Sequence, residues 1–232
     1  MKICGLQKTT LLDFPGKVAA TLFTGGCNFR CPFCHNSDLL LGNARELYKP
    51  EDVLGFLEKR RNILEGVCIT GGEPTLQPDL ADFIRDIRTL GLAVKLDTNG
   101  YRPEILEELC GHELLDYIAM DIKAGRSRYE AAAGIHDLSM ELIDESIRLL
   151  MSGSVPYEFR TTVVQGIHTE ADFREIGPWI RGCRSYFLQA FRDSEQVLMS
   201  GTYTAFSKEE MLAFAELMRP FAGEVRLRGI DV

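Results

Sequence analysis

Three cysteines stand close together near the start of the chain, at Cys27, Cys31 and Cys34, in a C-x3-C-x2-C arrangement. Spacings this short allow one loop to wrap several thiolates around a single metal centre. Structural zinc needs four ligands, so a zinc loop would require His35 or a distant cysteine as the fourth. A four-iron cluster normally takes four cysteines, and three would leave one iron open to a substrate. The arrangement favours an iron–sulfur cluster with an open iron over zinc.

A second candidate segment, Thr70-Gly71-Gly72-Glu73-Pro74, follows a short apolar run. Glycines allow the backbone to approach a ligand closely. The Glu73 carboxylate could accept hydrogen bonds from an ammonium group. Taken alone, the segment could equally be a turn.

Acids close the next two apolar runs, at Asp97 and Asp121. An acid at the end of a buried strand needs a partner, and two carboxylates on adjacent strand ends repel each other unless a cation lies between them. The alternative for Asp121 is a simple surface pair with Lys123. Arg160 lies among apolar neighbours, where a guanidinium usually pairs with a carboxylate.

The apolar runs predict six strands, and helical patterns lie between them. The predicted strands are Val18–Thr24, Gly66–Thr70, Ala93–Thr98, Tyr117–Ile122, Glu158–Val164 and Tyr186–Phe191. The predicted helices are Pro50–Glu65, Leu76–Leu90, Pro103–Leu109, Met140–Ser152, Glu170–Arg181 and Ser207–Phe221. Six β-then-α units indicate the α/β class, as a partial (β/α)6 barrel of parallel strands. An open doubly wound sheet is the alternative.

We expect one domain over residues 1–232, with a leader at 1–17, a core at about 18–192, and a C-terminal helix and strand within 207–232. In such folds, chemistry takes place at the carboxyl ends of the strands. The cysteine loop and the Gly71–Glu73 segment follow predicted strands, and Asp97 and Asp121 lie at the ends of two more.

Composition limits the partners of the chain. Its 232 residues include 26 Lys and Arg against 34 Asp and Glu, a net charge of −8, which makes nucleic acid and anionic membranes poor partners. No segment reaches the roughly 18 apolar residues of a membrane span, so we expect a cytoplasmic protein. Among the seven cysteines, Cys4, Cys68, Cys110 and Cys183 stand alone and are expected to be small core residues. His112, His136 and His168 are expected on the surface or in loops.

The run C-N-F-R-C-P-F-C-H-N at residues 27–36 resembles the signature of radical S-adenosylmethionine (SAM) enzymes, especially activators of glycyl-radical enzymes. The resemblance implies a [4Fe–4S] cluster on Cys27, Cys31 and Cys34. SAM would chelate the fourth iron through its amino and carboxylate groups. Phe33 and His35 would contribute to SAM binding, with the Phe33 backbone against adenine.

The same resemblance assigns roles at the later strand ends. Gly71, Gly72 and Glu73 resemble the GGE motif that binds the SAM amino group. By motif, a monovalent cation beside the SAM carboxylate would be bound by Asp97, Thr98, Asp121 and the carbonyl of Met120. Further SAM contacts are expected from Asp121, Lys123, Arg160, Gln189 and Arg192.

Residues 9–17 and 227–231 resemble the leader and ending of anaerobic ribonucleoside-triphosphate reductase activating proteins. The implied reaction is reductive cleavage of SAM and removal of hydrogen from a glycine Cα of the partner reductase. An electron donor such as flavodoxin or ferredoxin is implied. The alternatives are a pyruvate formate-lyase activating enzyme, a radical SAM enzyme acting on a small molecule such as 7-carboxy-7-deazaguanine synthase, and a zinc-stabilised interaction module.

Overall fold

Strands and helices alternate along most of the chain in the computed structural model, which describes residues 1–40 and 44–230. The chain divides into two compact units. The first unit comprises Met1–Asn28, Asp38–Ala119 and Gly153–Pro156, and the second comprises Phe29–Ser37, Met120–Ser152 and Tyr157–Val232. Asp231, the last residue of the ending motif, lies outside the described residues.

Four complete strands form the sheet of the first unit, in chain order. They are β1 (Ile3–Thr10), β2 (Ala19–Thr24), β3 (Gly66–Gly71) and β4 (Ala93–Thr98). β1 runs antiparallel to β2, whereas β2, β3 and β4 are parallel, with Cys68 of β3 opposite Lys95 of β4. Helix α1 (Ser37–Leu40) begins with one residue of the second unit and continues in the first. The helices α2 (Pro50–Arg60), α3 (Leu80–Thr89) and α4 (Pro103–Gly111) lie in the first unit.

The next strand, β5 (Tyr117–Asp121), begins in the first unit and ends in the second. The second unit also contains β6 (Tyr157–Val163), β7 (Cys183–Ala190) and β8 (Ala222–Arg228), which are parallel and neighbour one another in chain order. Its helices are α5 (Tyr129–Ala133), α6 (Met140–Ser152), α7 (Glu170–Trp179) and α8 (Lys208–Met218).

Side-chain periodicity explains how these elements pack. On α3, the buried residues Leu80, Phe83, Ile84 and Ile87 recur at the three- and four-residue spacing of one helical face. Strand β2 buries four consecutive residues from Ala19, as expected when both faces of a strand are covered. Because β2, β3 and β4 are parallel, and β6, β7 and β8 are parallel, the loops that follow these strands begin on one side of the respective unit.

Several elements differ from the sequence-based expectations. The short helices α1 and α5 were not predicted, and the helix predicted over Pro50–Glu65 ends at Arg60. Strand β1 was not predicted, because its residues alternate little and several of its side chains are exposed. The helix predicted from Leu76 is a short 3-10 turn at Pro74–Leu76 followed by α3, which begins only at Leu80. Pro78 lies between them, and a proline disfavours the helical conformation of the residue before it.

The C-terminal region contains the helix α8 and the strand β8. Ser207 accepts a hydrogen bond from the backbone of Glu210, and the Glu210 side chain accepts one from the backbone of Ser207, which together cap α8. The single domain over residues 1–232 stays a prediction. Within the described residues, no helix is both long enough and apolar enough to cross a membrane.

Candidate active site

The carboxylate of Glu73 organises the strand ends of the first unit. Its Oε1 accepts hydrogen bonds from the backbone N–H of Thr75 at 3.1 Å, from Thr75 Oγ1 at 2.7 Å and from Thr98 Oγ1 at 2.8 Å. Its Oε2 accepts from the backbone N–H of Asn99 at 2.7 Å. The side chain is therefore anchored both in the turn after β3 and at the end of β4.

Burial raises the pKa of Glu73, while the hydrogen bonds from Thr75, Asn99 and Thr98 act in the opposite direction. The residue is only 1% exposed. Donors that converge on a buried carboxylate stabilise its charged form. In this structure the side chain supports the loops, and the contact of Gly71, Gly72 and Glu73 with the SAM ammonium stays a prediction.

The two glycines before Glu73 are explained by close backbone packing. A Cβ at Gly72 would lie 2.0 Å from the carbonyl oxygen of Gly26, and one at Gly71 would lie 2.4 Å from the backbone nitrogen of Thr24. Gly71 also has a φ of 116°, a conformation that favours glycine. The backbone N–H of Glu73 donates to the carbonyl of Gly26 at 2.8 Å. The glycines thus bring this segment against the start of the cysteine loop.

Cys27 lies beside an amide pair in the first unit. Asn99 Nδ2 donates to Asn28 Oδ1 at 2.8 Å and lies 4.0 Å from Cys27 Sγ. Asn99 is 5% exposed, and its backbone is held by Glu73. The turn after β4 therefore places a buried amide donor next to the first cysteine of the motif.

The other two motif cysteines lie in the second unit. The backbone N–H of Cys34 donates to the carbonyl of Cys31 at 3.0 Å, which closes a tight turn. The N–H groups of Leu198 and Met199 donate to the carbonyls of Cys34 and Pro32, at 3.0 and 2.9 Å. A segment that follows β7 thereby holds this part of the cysteine loop.

The cysteine donor set fits an iron–sulfur cluster. Burial raises the pKa of the Cys31 thiol to about 11, and burial also raises the pKa of Cys34. A buried thiolate needs a compensating positive charge, which a bound metal centre provides. Within the described residues, no three His, Cys, Asp or Glu side chains are gathered for a single metal ion. A cluster has no such requirement, since each thiolate binds an iron of its own.

Asp121 has two cationic partners in the second unit. Lys123 Nζ lies 2.9 Å from Oδ2, and Arg160 Nε lies 2.8 Å from Oδ1. Burial would raise the pKa of Asp121, but the charges of Arg160 and Lys123 outweigh it and hold the pKa well below its usual value. The expected pairing of Arg160 with a carboxylate is thus confirmed, with Asp121 as the partner. These three side chains together carry a charge of +1.

Phe33 and His35 follow Cys31 and flank Cys34. The Phe33 ring is buried and packs edge-on against His168, with centroids 6.0 Å apart. His35 Nε2 lies 2.6 Å from the carbonyl oxygen of Arg192, and the His35 ring lies 5.4 Å from that of Phe191. Both side chains therefore help to position the loop.

At the end of β7, Gln189 is half-buried, opposite Thr162 of β6 and Arg228 of β8. The guanidinium of Arg192 donates to the carbonyl of Gly229 at 3.4 Å. SAM contacts from Gln189 and Arg192, as from Phe33, His35 and Lys123, stay predictions.

The expected cation ligands are occupied by protein partners. In the first unit, Asp97 forms an ion pair with Lys95, and Thr98 Oγ1 donates to Glu73. In the second unit, Met120 is fully buried and Asp121 is paired as described above. Lys95 was not among the candidate residues, although its position two residues before Asp97 on a strand puts both side chains on one face.

His168 is another residue that sequence reasoning missed. It lies in a loop as expected but is 2% exposed. Its Nδ1 accepts from the backbone N–H of Val164 at 3.0 Å, so Nε2 carries the proton and donates to the carbonyl of Lys123 at 2.8 Å. The ring thus joins the loop after β6 to the Asp121–Lys123 segment.

Comparison with known proteins assigns the family. The Radical SAM superfamily profile matches residues 21–177, more than half of the chain. The chain belongs to the radical SAM superfamily. It is therefore an enzyme of this kind, and the cofactors of the family are a [4Fe–4S] cluster and SAM. The cysteine loop between β2 and α1 and the GGE segment after β3 both lie inside the matched range.

Individual relatives of this radical SAM enzyme agree with the family assignment. A candidate glycyl-radical enzyme activating enzyme of Methanocaldococcus jannaschii is 31% identical over 99% of this chain and 96% of the relative. The pyruvate formate-lyase-activating enzyme of Clostridium pasteurianum is 32% identical over 53% of this chain and 52% of that enzyme. This radical SAM enzyme thus covers nearly all of the first relative and about half of the second.

A solved structure supports the fold. Streptococcus suis SuiB bound to S-adenosylmethionine superposes with a TM-score of 0.65 at 13% identity, over 87% of this chain and 48% of that one. The predicted fold class is confirmed: the chain is an α/β protein of the radical SAM type, and both of its units contain parallel strands.

Proposed function

We propose that this radical SAM enzyme generates a glycyl radical on a partner protein, and that the partner is an anaerobic ribonucleoside-triphosphate reductase. The observation that carries the proposal is the similarity to the Methanocaldococcus jannaschii candidate activating enzyme over almost the whole of both chains. The reaction removes a hydrogen atom from the Cα of one glycine of the partner. Such a step needs no general acid or base from the protein.

In this proposal Cys27, Cys31 and Cys34 would each bind one iron of the cluster. When bound, the cluster supplies the electron that cleaves SAM reductively. The Asn28–Asn99 pair supports the first cysteine, while the backbone bonds from Leu198 and Met199 support the loop that carries the third. These contacts are made by protein groups alone and do not depend on a bound cofactor.

The SAM carboxylate is assigned to the group formed by Asp121, Lys123 and Arg160. Because one carboxylate faces two cations in this group, its net charge of +1 favours an anionic ligand. The SAM ammonium is assigned to the segment Gly71–Glu73. Phe33, His35, Gln189 and Arg192 are assigned to the rest of the nucleotide. The assignment of the SAM carboxylate rests on the charge of this group, whereas the other assignments are carried over from the family motif.

The reductase is preferred as partner because residues 9–17 and 227–231 resemble the leader and ending of its activating proteins. In the structure, residues 9–17 comprise the end of β1 and most of the turn that leads to β2. There Thr21 Oγ1 donates to Asp13 at 2.5 Å, and Phe14 is buried. The match to the Clostridium pasteurianum enzyme supports pyruvate formate-lyase as the second candidate. The electron donor is assigned to the flavodoxin or ferredoxin class.

We place the reaction in the cytoplasm. Reduced thiols persist in this compartment, and within the described residues no disulfide joins any of the seven cysteines. The reducing environment also suits a chain whose three motif thiols must remain available to bind iron.

The proposal is tested with anaerobically reconstituted enzyme. The reduced enzyme and SAM are incubated separately with the reductase, with pyruvate formate-lyase and with the reductase whose radical-site glycine is replaced by alanine. We expect a glycyl radical in the electron paramagnetic resonance spectrum of the intact reductase alone. A radical formed only on the lyase would select the second candidate. Turnover of a small molecule with no radical on either protein would overturn the proposal.

The control for this assay is the variant Cys31→Ser, which removes one cluster ligand and retains a small polar side chain. We expect it to lose bound iron, the brown colour of the cluster and SAM cleavage together. Zinc in the wild-type protein instead of iron, or SAM cleavage by Cys31→Ser at the wild-type rate, would contradict the cluster assignment.

A further inference from the structure

The monovalent cation site that the family resemblance implies does not fit this chain. Its expected ligands are Asp97, Thr98, Met120 and Asp121, and a cation site requires carboxylates whose charge still needs compensation. In the first unit Asp97 forms an ion pair with the ammonium of Lys95. The positive charge beside Asp97 is thus already present, and it belongs to the protein.

The pair of Lys95 and Asp97 is an interior feature of the first unit. The Lys95 side chain is 3% exposed and that of Asp97 is 14% exposed. The strand residues next to Lys95, Val94 and Leu96, are fully buried on the opposite face of β4. Since residues two apart on a strand share a face, Lys95 and Asp97 point to the same side of the sheet.

Cys68 completes the surroundings of this ion pair. It lies opposite Lys95 in the register of β3 and β4. Its sulfur is 3.7 Å from Lys95 Nζ and 3.8 Å from Asp97 Oδ1. The ammonium is thus held between a carboxylate and a polarisable sulfur. A lysine this deeply buried is rare unless it is paired.

The other expected ligands are also committed to protein partners. Thr98 Oγ1 donates to Glu73 at 2.8 Å and accepts from the backbone N–H of Gly100 at 3.1 Å. In the second unit, each oxygen of Asp121 faces a cation of its own, Lys123 or Arg160. The charges of Asp97 and Lys95 already sum to zero, and those of Asp121, Lys123 and Arg160 sum to +1. A metal cation added at either carboxylate would therefore create or increase an excess of positive charge.

We infer that Lys95 acts as a built-in cation, which holds the Asp97 carboxylate in place of an exchangeable monovalent metal ion. Lys95 is a positioning residue in this role, since it acts through Asp97 and the end of β4. The expected consequence is that this enzyme requires no potassium or sodium for its stability or for SAM binding. The inference concerns the SAM site alone and does not depend on which partner is activated.

The test compares cations at constant ionic strength. Anaerobically reconstituted enzyme is dialysed against rubidium chloride, and bound rubidium is measured by mass spectrometry. Its melting temperature and its dissociation constant for SAM are measured in potassium, sodium and choline chloride. We expect no bound rubidium above the dialysis blank, and the same melting temperature and dissociation constant in all three salts. Stoichiometric rubidium, or weaker SAM binding in choline, would overturn the inference.

Two variants isolate the role of the ammonium. Lys95→Met retains the length of the side chain but leaves the Asp97 charge without this partner, so we expect a lower melting temperature that potassium raises and choline does not. Lys95→Met/Asp97→Asn removes both charges, and we expect its melting temperature to be independent of the cation. A folded Lys95→Met protein whose melting temperature is the same in potassium and choline would contradict the inference. If this variant fails to fold, the rubidium, melting-temperature and SAM-binding measurements on the wild-type enzyme still test the inference.

Discussion

The backbone N–H of Asn99 donates to Oε2 of Glu73 at 2.7 Å, so a side chain that follows β3 holds the residue that follows β4. Oε1 of the same carboxylate accepts from Thr98 at 2.8 Å. Ligands of parallel α/β folds bind beyond the carboxyl ends of the strands. Glu73 therefore fixes the two loops at the edge of the sheet where a substrate would bind.

Replacement of Glu73 by glutamine tests this arrangement. In Glu73→Gln an amide NH2 group takes the place of one oxygen, and at least one buried donor loses its acceptor. We expect the free energy of unfolding to fall by about 1–3 kcal/mol, measured by urea denaturation under anaerobic conditions. The control is Glu104→Gln, whose exposed carboxylate pairs with Arg102 and is expected to change the stability by at most about 0.5 kcal/mol. Equal effects of the two variants would contradict this role of Glu73.

The close packing at Gly72 gives a second prediction. Gly72→Ala would place its Cβ 2.0 Å from the Gly26 carbonyl oxygen, so the backbone must move and we expect a loss of at least about 1–3 kcal/mol or failure to fold. Gly55→Ala is the matched control, because no atom lies within 4 Å of its Cβ in the helix α2. That variant is expected to gain about 0.5–1 kcal/mol, since glycine is a poor helix former. Thermal unfolding distinguishes the two, and a Gly72→Ala protein as stable as wild type would show that this contact is not rigid.

The buried histidine predicts how stability depends on pH. Burial lowers the pKa of His168, and protonation of Nδ1 would turn an N–H toward the Val164 donor. The unfolded chain therefore binds the proton more readily than the folded one. The stabilisation that neutral His168 provides is fully present above its pKa in the unfolded chain, about 6.5. This stabilisation is lost as the pH falls toward the lower pKa that His168 has in the folded protein.

Denaturation in urea at several values between pH 7.5 and 5.5 tests the role of His168. We expect the wild-type midpoint to fall with pH and the midpoint of His168→Asn to fall less, since asparagine keeps an acceptor for Val164 but does not titrate. His112→Asn, at an exposed position, is the control and should follow the wild type. A steep pH dependence that persists in His168→Asn would assign it to another group.

A buried ion pair in the second unit gives the fourth prediction. Glu158 is fully buried and accepts two hydrogen bonds from the Arg228 guanidinium, at 2.6 and 2.9 Å. Arg228 also lies over the ring of Phe187, 3.7 Å from its centroid. We expect Arg228→Met to cost about 3 kcal/mol in urea denaturation, because it leaves a buried carboxylate without this partner.

The same strand supplies the control for this ion pair. Arg226 pairs with Glu224 on β8, but both side chains are largely exposed, so Arg226→Met should cost less than about 1 kcal/mol. The double variant Glu158→Gln/Arg228→Met should recover part of the stability that Arg228→Met loses. If Arg226→Met lowered the free energy of unfolding as much as Arg228→Met, the burial of Glu158 would not explain the loss in Arg228→Met.

The strands and the cysteine loop were predictable because both follow from local patterns. Strand β4 has the predicted bounds Ala93–Thr98, since its apolar residues are covered on both faces. The loop carries its chemistry in the spacing of three cysteines. Strand β1 lacks such a pattern, because it contains consecutive exposed polar residues and is specified by its pairing with β2 rather than by an apolar run.

The partners of the charged residues were harder to predict. Asp97 and Asp121 were expected to share a cation, whereas the structure pairs Asp97 with Lys95 and Asp121 with Lys123 and Arg160. A lysine in a sequence is usually a surface residue, and its burial depends on packing across the sheet. His168 was placed in a loop correctly, but its burial results from contacts with Phe33 and Lys123, which are distant in the sequence.

The backbone bonds from Leu198 and Met199 to the cysteine loop have a consequence for biosynthesis. Cys34 and Pro32 are translated long before Leu198 and Met199, whose N–H groups donate to their carbonyls. The nascent chain therefore exposes three thiols on a loop whose final anchors have yet to be translated. Stable insertion of the iron–sulfur centre should wait until β7 and the segment after it have left the ribosome, and earlier metallation would have to occur on an unanchored loop.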